Sequence, residues 1–502
     1  EKEIFHPAEL ADGPMRDWLA VRADATPTAT ALRAFGPLDT DRSYAELDDC
    51  VETLAGRLAG AGVGVDDAVA ICADTRPAFV RIAHATQRLG AVLVPINTRL
   101  TPAEIEGQLD RVAPSAVLCE RDTEAAVAEA ADAEVLSLDD SGKARPLSDV
   151  SPRRFDLPEW EPDDPMAVLF TSGTTGDPKG VLLTLGNVLA SATASAFRLG
   201  LRGDDCWHVP LPMYHMGGLA PVYRSVLYGT ALSIQRGFDP ERTREALAGA
   251  STVSLVPTML ERLLDSGSVP PLRFVLLGGA PCPPELLERA QKRAIPVAPT
   301  YGMTETASGI ATARPEEARS HPGSVGHPHM FAEVSILDEA GVPREAGETG
   351  EIVISGPMVT PGYLDGDVTA DQFINGGIRT GDRGYRDEAG RLYVTGRADE
   401  TILTGGENVD PAEVVSVLRT HPGVDDCAVV GLDDDDWGER VAALVVPADD
   451  ADPSASALET HCQGRLAGYK TPRTIEFAAD LPRTASGTVD RAAVVDRLAD
   501  DG

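Results

Sequence analysis

The ten residues Thr171 to Gly180, T-S-G-T-T-G-D-P-K-G, constrain this chain more than any other stretch of it. They follow Met166-Ala167-Val168-Leu169-Phe170, a compact apolar run of the kind that forms a buried strand. A strand that empties into glycines and hydroxyl residues, closed by one lysine, is suited to wrapping a polyphosphate. Glycine lets the backbone turn its N–H groups inward, and Ser172, Thr174 and Thr175 add hydroxyl donors. Lys179 supplies a mobile positive charge for the same phosphates. The string is not a Walker P-loop, in which Gly-Lys-Ser/Thr opens a helix, because Lys179 is followed by Gly180 and Val181.

Short apolar runs alternate with amphipathic helices on both sides of this loop. Residues 68–72, 91–96 and 116–119 read as strands, and 77–89 and 101–112 as helices, the second capped by Thr101 with Pro102 next and Glu104 three residues on. A βαβαβ order predicts an α/β fold, a parallel sheet with helices on its faces. The pattern resumes with a helix near 187–197, a strand near 253–256, a helix at 257–264 and a strand at 274–277. Between about Ser324 and Tyr393, short alternating runs with Gly and Pro turns predict a small β subdomain. The Ala/Asp-rich stretch 120–160 reads as an exposed connection. After Gly396 a new unit begins, with helices at 411–419 and 455–466 and strands near Ala428 and 442–446. At 502 residues the chain exceeds what one core serves, so two or more domains are expected.

The formal net charge is −35, which argues against nucleic acid or an anionic membrane as partner, since like charges repel. Only five lysines occur (Lys2, Lys143, Lys179, Lys292, Lys470), and Asp-rich tracts such as 433–436 read as solvated surface rather than metal sites. Such a surface suits a salt-rich, halophilic cytoplasm, where screening removes self-repulsion. Seven scattered cysteines without a C-x-x-C read as free thiols in a reducing compartment. With no signal-like opening and no apolar run near ~20 residues, a soluble cytoplasmic protein is expected.

The Thr171–Gly180 string resembles the phosphate-loop signature of the adenylate-forming superfamily, which holds acyl-CoA synthetases, luciferases and the adenylation domains of peptide synthetases. The resemblance spans nearly the whole chain, with further motifs in the family's order. It implies a large N-terminal domain, residues 1–396, of two parallel-sheet α/β subdomains and a small β subdomain. A small mobile α+β C-terminal domain, residues 397–502, would follow, hinged near Asp399. It implies ATP, Mg²⁺ and CoA as the small molecules used with a carboxylic acid.

The resemblance also assigns residues. Thr171, Ser172, Gly173, Thr174, Thr175, Gly176 and Lys179 would hold phosphates. Gly279, Ala280 and Pro281, in L-G-G-A-P, would lie against adenine. In Y-G-M-T-E-T, Tyr301 would stack on adenine beside Gly302 and Met303, Thr304 would bind the α-phosphate, and Glu305 would hold Mg²⁺. Asp382 would accept from both ribose hydroxyls, and Arg397 would contact phosphate and ribose. Gly405, Gly406 and Glu407 would line the pantetheine tunnel after the domain swings.

For the acid, the resemblance points to His215, Arg224, Gly279 and Ser308. His215 could orient the carboxylate or simply pack. Arg224, in an otherwise apolar helix start, could meet a second carboxylate or sit on an amphipathic helix's outer face. The stretch 187–229 most resembles o-succinylbenzoate–CoA ligases of menaquinone synthesis. A CoA ligase for another aryl or medium-chain acid stays open. No amino-acid-anchoring aspartate near His215 favours a peptide-synthetase domain. One departure stands out: in L-P-R-T-A-S-G-T the family's catalytic lysine is replaced by Thr488. That leaves open a catalytically weakened nucleotide- or acyl-binding protein. Lys470 and Arg491 are the candidate substitutes for the missing cation.

Overall fold

The structure is a computed structural model that describes residues 17–34, 41–140, 142–171, 178–338, 340–374, 376–397, 402–404, 407–409, 411–434, 437–449, 451–463, 465–466, 468–484 and 487–500. Its contacts group into two units. The first comprises Glu1–Val334 and Ile354–Ile378, and the second Ser335–Val353 and Arg379–Gly502.

The first unit carries two sheets. One runs in the order 362–363, 179–184, 165–171, 92–95, 68–72, 116–119, 135–137, 145–146. Its centre is parallel, with Val69 opposite Leu93 on one side and Ala116 on the other. The crossover helices begin and end where the sequence says they should. Pro77–Leu89 starts on proline and stops at Gly90, whose φ of 73° only glycine adopts without strain. Pro102–Val112 is held by a reciprocal capping box between Thr101 and Glu104. Ile105 and Leu109 of that helix pack on Ala70, Val94, Val117 and Val168.

Two stretches differ from expectation. Residues 120–160 are not merely a connection, because Val135–Ser137 and Arg145–Pro146 extend the sheet, with Leu136 opposite Leu118. Two apolar residues, Val135 and Leu136, inside a polar context are enough for a short strand once neighbours supply the pairing. Lys179–Thr184, where no strand was expected, pairs antiparallel with Pro165–Thr171, with Lys179 opposite Thr171.

The second sheet places Thr30–Ala34, Ala231–Ile234, Cys206–Val209, Thr252–Leu255, Phe274–Leu277 and Val297–Met303 side by side in parallel. Ser308–Thr312 and Ser324–Pro328 then continue it antiparallel. Val253, Leu255, Val275, Leu277 and Val297 form its core with Leu260, Leu263 and Leu287 from the helices Pro257–Asp265 and Pro284–Lys292. The short strands between Ser324 and Tyr393 are shared. Residues 324–334 and 354–378 group with the first unit, 335–353 and 379–393 with the second.

In the second unit Val424–Asp434 and Gly438–Pro447 pair along their length, flanked by 402–404, 407–409 and 474–477. One face is covered by Pro411–Arg419 and Ala455–Gln463 through Val414, Leu418, Leu458 and Cys462. The other is covered by Arg491–Asp500 through Val494 and Leu498. Among the described residues no helix is long and apolar enough to cross a membrane.

Candidate active site

The carboxyl ends of the parallel strands carry the motifs, where ligands bind in open α/β sheets. Gly278–Pro281 leave the strand Phe274–Leu277. A Cβ on Gly278 would come within 2.7 Å of the Thr300 side chain, and Gly279 turns at φ +79°. Gly279, Ala280 and Pro281 are therefore presented at the surface of the next strand's end. That strand closes on Tyr301, Gly302 and Met303, all but Gly302 half-buried. A Cβ on Gly302 would lie 2.0 Å from the Ser308 carbonyl oxygen, so no other residue fits. Thr304–Thr306 form one tight turn, after which Ala307 (φ 50°) and Ser308 (φ 123°) both take positive φ. Two consecutive strained non-glycine residues mark a place where surrounding structure overrides backbone preference.

Glu305 is 7 % exposed. The Tyr363 hydroxyl donates to its Oε1 at 2.9 Å, and the Thr360 N–H donates to its carbonyl oxygen at 2.7 Å. Burial, then the Glu305 carboxylate, pushes the Tyr363 phenol well above its ordinary range, so it stays a donor. Lys179 Nζ lies 5.7 Å from the centre of the same ring. Tyr363 thus stands between the predicted phosphate cation and the predicted metal carboxylate, which the structure brings together. Sequence reasoning missed it, and its only local signal is the turn Pro361-Gly362 before it. Ser172, Gly173, Thr174, Thr175 and Gly176 lie outside the described residues, between Thr171 and Lys179 on paired strands. Lys179 opens a strand rather than a helix, as the rejection of the P-loop requires.

The donor set fits magnesium. Among the described residues no three His, Cys, Asp or Glu side chains gather as an all-protein cage. Mg²⁺ is ordinarily held by one or two carboxylates plus substrate phosphates. A single buried Glu305, with Lys179 on the far side of the Tyr363 ring, suits that arrangement.

His215 caps the helix Met216–Tyr228, which leaves the same sheet after Cys206–Val209. Its Nε2 is buried without a partner, and burial first, then Arg99, lowers its pKa, so the imidazole is neutral. Arg224, on that helix, is 4 % exposed and so is not on an outer face. Its guanidinium lies 4.9 Å from the centre of the Trp207 ring, its Nε has no partner, and no carboxylate pairs with it among the described residues. Ser308 is half-buried at the positive-φ turn, and its carbonyl accepts from the Thr306 hydroxyl at 3.1 Å.

In the second unit Asp382 and Arg397 face each other on paired strands, 3.5 Å apart. Asp399, Gly405 and Gly406 lie outside the described residues, and Glu407 begins the strand Glu407–Val409. Thr488 is exposed, its hydroxyl 2.7 Å from that of Thr484. Lys470 pairs with Glu413 at 2.5 Å, and Arg491 donates to the Val429 carbonyl at 2.9 Å.

Comparison with known proteins agrees with this geometry. The family model described as AMP-binding enzyme matches residues 19–364, and that of its C-terminal domain matches residues 413–488. A 2–succinylbenzoate–CoA ligase of Geobacillus kaustophilus is 42 % identical over 480 residues, 94 % of this chain and 96 % of that one. The ligase of the same name from Listeria monocytogenes is 38 % identical over 489 residues, 96 % of this chain and 99 % of that one. Among solved structures, the o-succinylbenzoate CoA synthetase of Bacillus subtilis in complex with the acyl-adenylate OSB-AMP superposes with a TM-score of 0.88. It is 34 % identical and covers 96 % of this chain and 98 % of its own. The same enzyme with ATP and magnesium gives 0.87 at 34 % identity, covering 97 % and 99 %. With its motifs gathered at the strand ends and both family models matched in order, the chain belongs to the AMP-binding enzyme family.

Proposed function

We propose that this protein is a 2-succinylbenzoate–CoA ligase. A carboxylate oxygen of the acid attacks the α-phosphorus of ATP, the bond from that phosphorus to the bridging oxygen breaks, pyrophosphate leaves, and acyl-AMP results. The thiol of CoA then attacks the acyl carbon, AMP departs, and the thiol proton passes to solvent. Two anions must meet in the first step, so the chain's part is positioning and charge neutralisation. Lys179 would face the phosphates, and Thr304 would hydrogen-bond the α-phosphate. Glu305, steadied by Tyr363, would hold Mg²⁺, whose charge stabilises the phosphate oxygens. Gly279 to Pro281 and Tyr301 would flank adenine, with Asp382 and Arg397 on the ribose. Neutral His215 would orient the reacting carboxylate.

The observation that carries the choice of acid is Arg224. A buried arginine without a carboxylate partner needs an anion to offset its desolvation. A fatty acid brings none to that depth, whereas the ring carboxylate of 2-succinylbenzoate does. The relatives named above act on that acid by their names. The swing between half-reactions is assigned to residues 397–502 about Asp399, with Gly405, Gly406 and Glu407 toward CoA. The seven cysteines are free thiols, in keeping with a reducing, cytoplasmic setting.

The test is pyrophosphate release and CoA-thioester formation with 2-succinylbenzoate at high salt, against a panel of aryl and medium-chain acids. Preference for a monocarboxylic acid would reject the assignment of substrate. No pyrophosphate with any acid would reject the ligase reading.

A further inference from the structure

A second buried group stands beside Arg224 that no motif names. His329 follows the strand Ser324–Pro328 and is 4 % exposed. Its N–H donates to the Ile310 carbonyl at 2.8 Å, which fixes it against the strand Ser308–Thr312. Its ring lies over Gly309, where a Cβ would sit 2.9 Å from Cε1 and 3.6 Å from Nδ1. The helix bearing Arg224 packs on this same strand, and the charge of Arg224 reaches the His329 ring. His329 Nε2 is 2.8 Å from Thr312 Oγ1, which is 2.8 Å from Thr300 Oγ1, which donates to the Ala311 carbonyl at 3.0 Å. Nδ1 is buried and has no partner, like the Nε of Arg224.

Counting protons orders this chain. A carbonyl only accepts, so the Thr300 hydroxyl spends its proton on Ala311. Thr312 then donates to Thr300, and its oxygen accepts from Nε2–H of His329. Only this arrangement makes all three bonds, and it leaves Nδ1 a bare lone pair. Burial, then Arg198 and Arg224, pushes the imidazole pKa down to about 3, so the ring carries one proton. Of the neighbouring charged and titratable groups, Arg198 is paired with Glu317, and the Tyr228 hydroxyl donates to the Ala192 carbonyl. A bare lone pair on Nδ1 repels a carboxylate brought toward Arg224. Turning the Thr300 hydroxyl to Thr312, and that of Thr312 to Nε2, reverses the polarity. The ring then gives its Nε2 proton to water and takes one on Nδ1, and the bond to Ala311 is the single one lost.

We propose that His329 is a specificity-determining residue of the acid pocket: its neutral ring donates Nδ1–H to the non-reacting carboxylate beside Arg224, once the Thr312–Thr300 hydroxyl pair reverses. This deepens the functional reading above and rests on it. The experiment compares kcat/KM for 2-succinylbenzoate with that for the same aryl keto acid lacking the ring carboxylate, in native protein, H329Q and H329N. Glutamine keeps a polar group toward Thr312, whereas asparagine keeps one at the Nδ1 position. H329Q should lower the preference for the dicarboxylate by about tenfold, the scale of one lost polar contact, and H329N should retain most of it. Titration calorimetry of native protein with 2-succinylbenzoate in two buffers of unlike ionisation heat should show no net proton uptake. Unchanged preference in H329Q, or uptake of about one proton, overturns the proposal. Should H329Q not fold, the native proton count decides. Native protein that ignores 2-succinylbenzoate overturns the functional reading itself, whereas a selective native protein with a selective H329Q overturns only the role of His329.

Discussion

Three side chains concentrate the chemistry at the residue scale. Arg224→Ala should weaken use of 2-succinylbenzoate by on the order of 3 kcal/mol, because the ring carboxylate would lose its opposite charge. Activity on the acid without that carboxylate should hardly change, and equal losses on both acids would make Arg224 structural. Tyr363→Phe removes the donor that steadies Glu305. The half-saturating Mg²⁺ concentration for pyrophosphate release should then rise by about tenfold, as when an outer partner of a metal ligand is lost. An unchanged magnesium dependence would show that the hydroxyl does not matter to the metal. Thr488→Lys should speed adenylation by up to about 10²–10³, the usual worth of one charge-stabilising donor, and leave the thioester step from supplied acyl-AMP unaltered. A null result there, with adenylation abolished by Lys470→Ala, would assign the cation to Lys470, which the structure pairs with Glu413. Glu305 and Lys179 were legible because each sits in a motif of contiguous residues. Tyr363 and His329 were not, because their meaning comes from partners 58 and 17 residues away that only the fold supplies.

Legibility at the scale of elements follows the strength of the local pattern. Pro77–Leu89 and Pro102–Val112 carry proline at the first turn and a left-handed residue or capping box at an end, so their limits are written in the sequence. Lys179–Thr184 and Val135–Ser137 carry no such marks, and each is a strand only because a neighbouring strand completes its hydrogen bonds. The hinge belongs to this scale too. Asp399→Pro would fix φ at the predicted pivot. One half-reaction should fail much more than the other, read as pyrophosphate exchange against thioester formation from supplied acyl-AMP. Equal losses would move the pivot elsewhere.

Across the whole molecule, the buried histidines set a lower limit on pH. Burial, the leading cause in each case, lowers the pKa of His84 and His208 to about 4 and that of His329 to about 3. Their folded values lie below the ordinary value of about 6.5, so as pH falls the unfolded chain binds protons that the folded one refuses. Their contribution is whole above that value and is lost on the way down to each ring's folded value, about 4 for His84 and His208 and about 3 for His329, at about 1.4 kcal/mol per pH unit for each histidine. Urea midpoints should therefore drop steeply between pH 6.5 and 5, and His208→Asn should shallow the slope. Midpoints flat over that range would place these rings in a more hydrated setting than the structure gives them.

The chain passes between its two units three times, after Val334, Val353 and Ile378. During synthesis Glu305 therefore emerges well before Thr360 and Tyr363, the residues that hold it. A nascent chain stopped at Val334 has every parallel strand of its two sheets yet lacks the clasp on Glu305, the carboxylate proposed for the metal. The first unit becomes complete only once residues up to Ile378 have been made, by which time the opening piece of the second unit, Ser335–Val353, is already waiting for the rest of its own sheet. A fragment starting at residue 397 would lack that piece as well, so transplanting the second unit means cutting at all three crossings rather than at one.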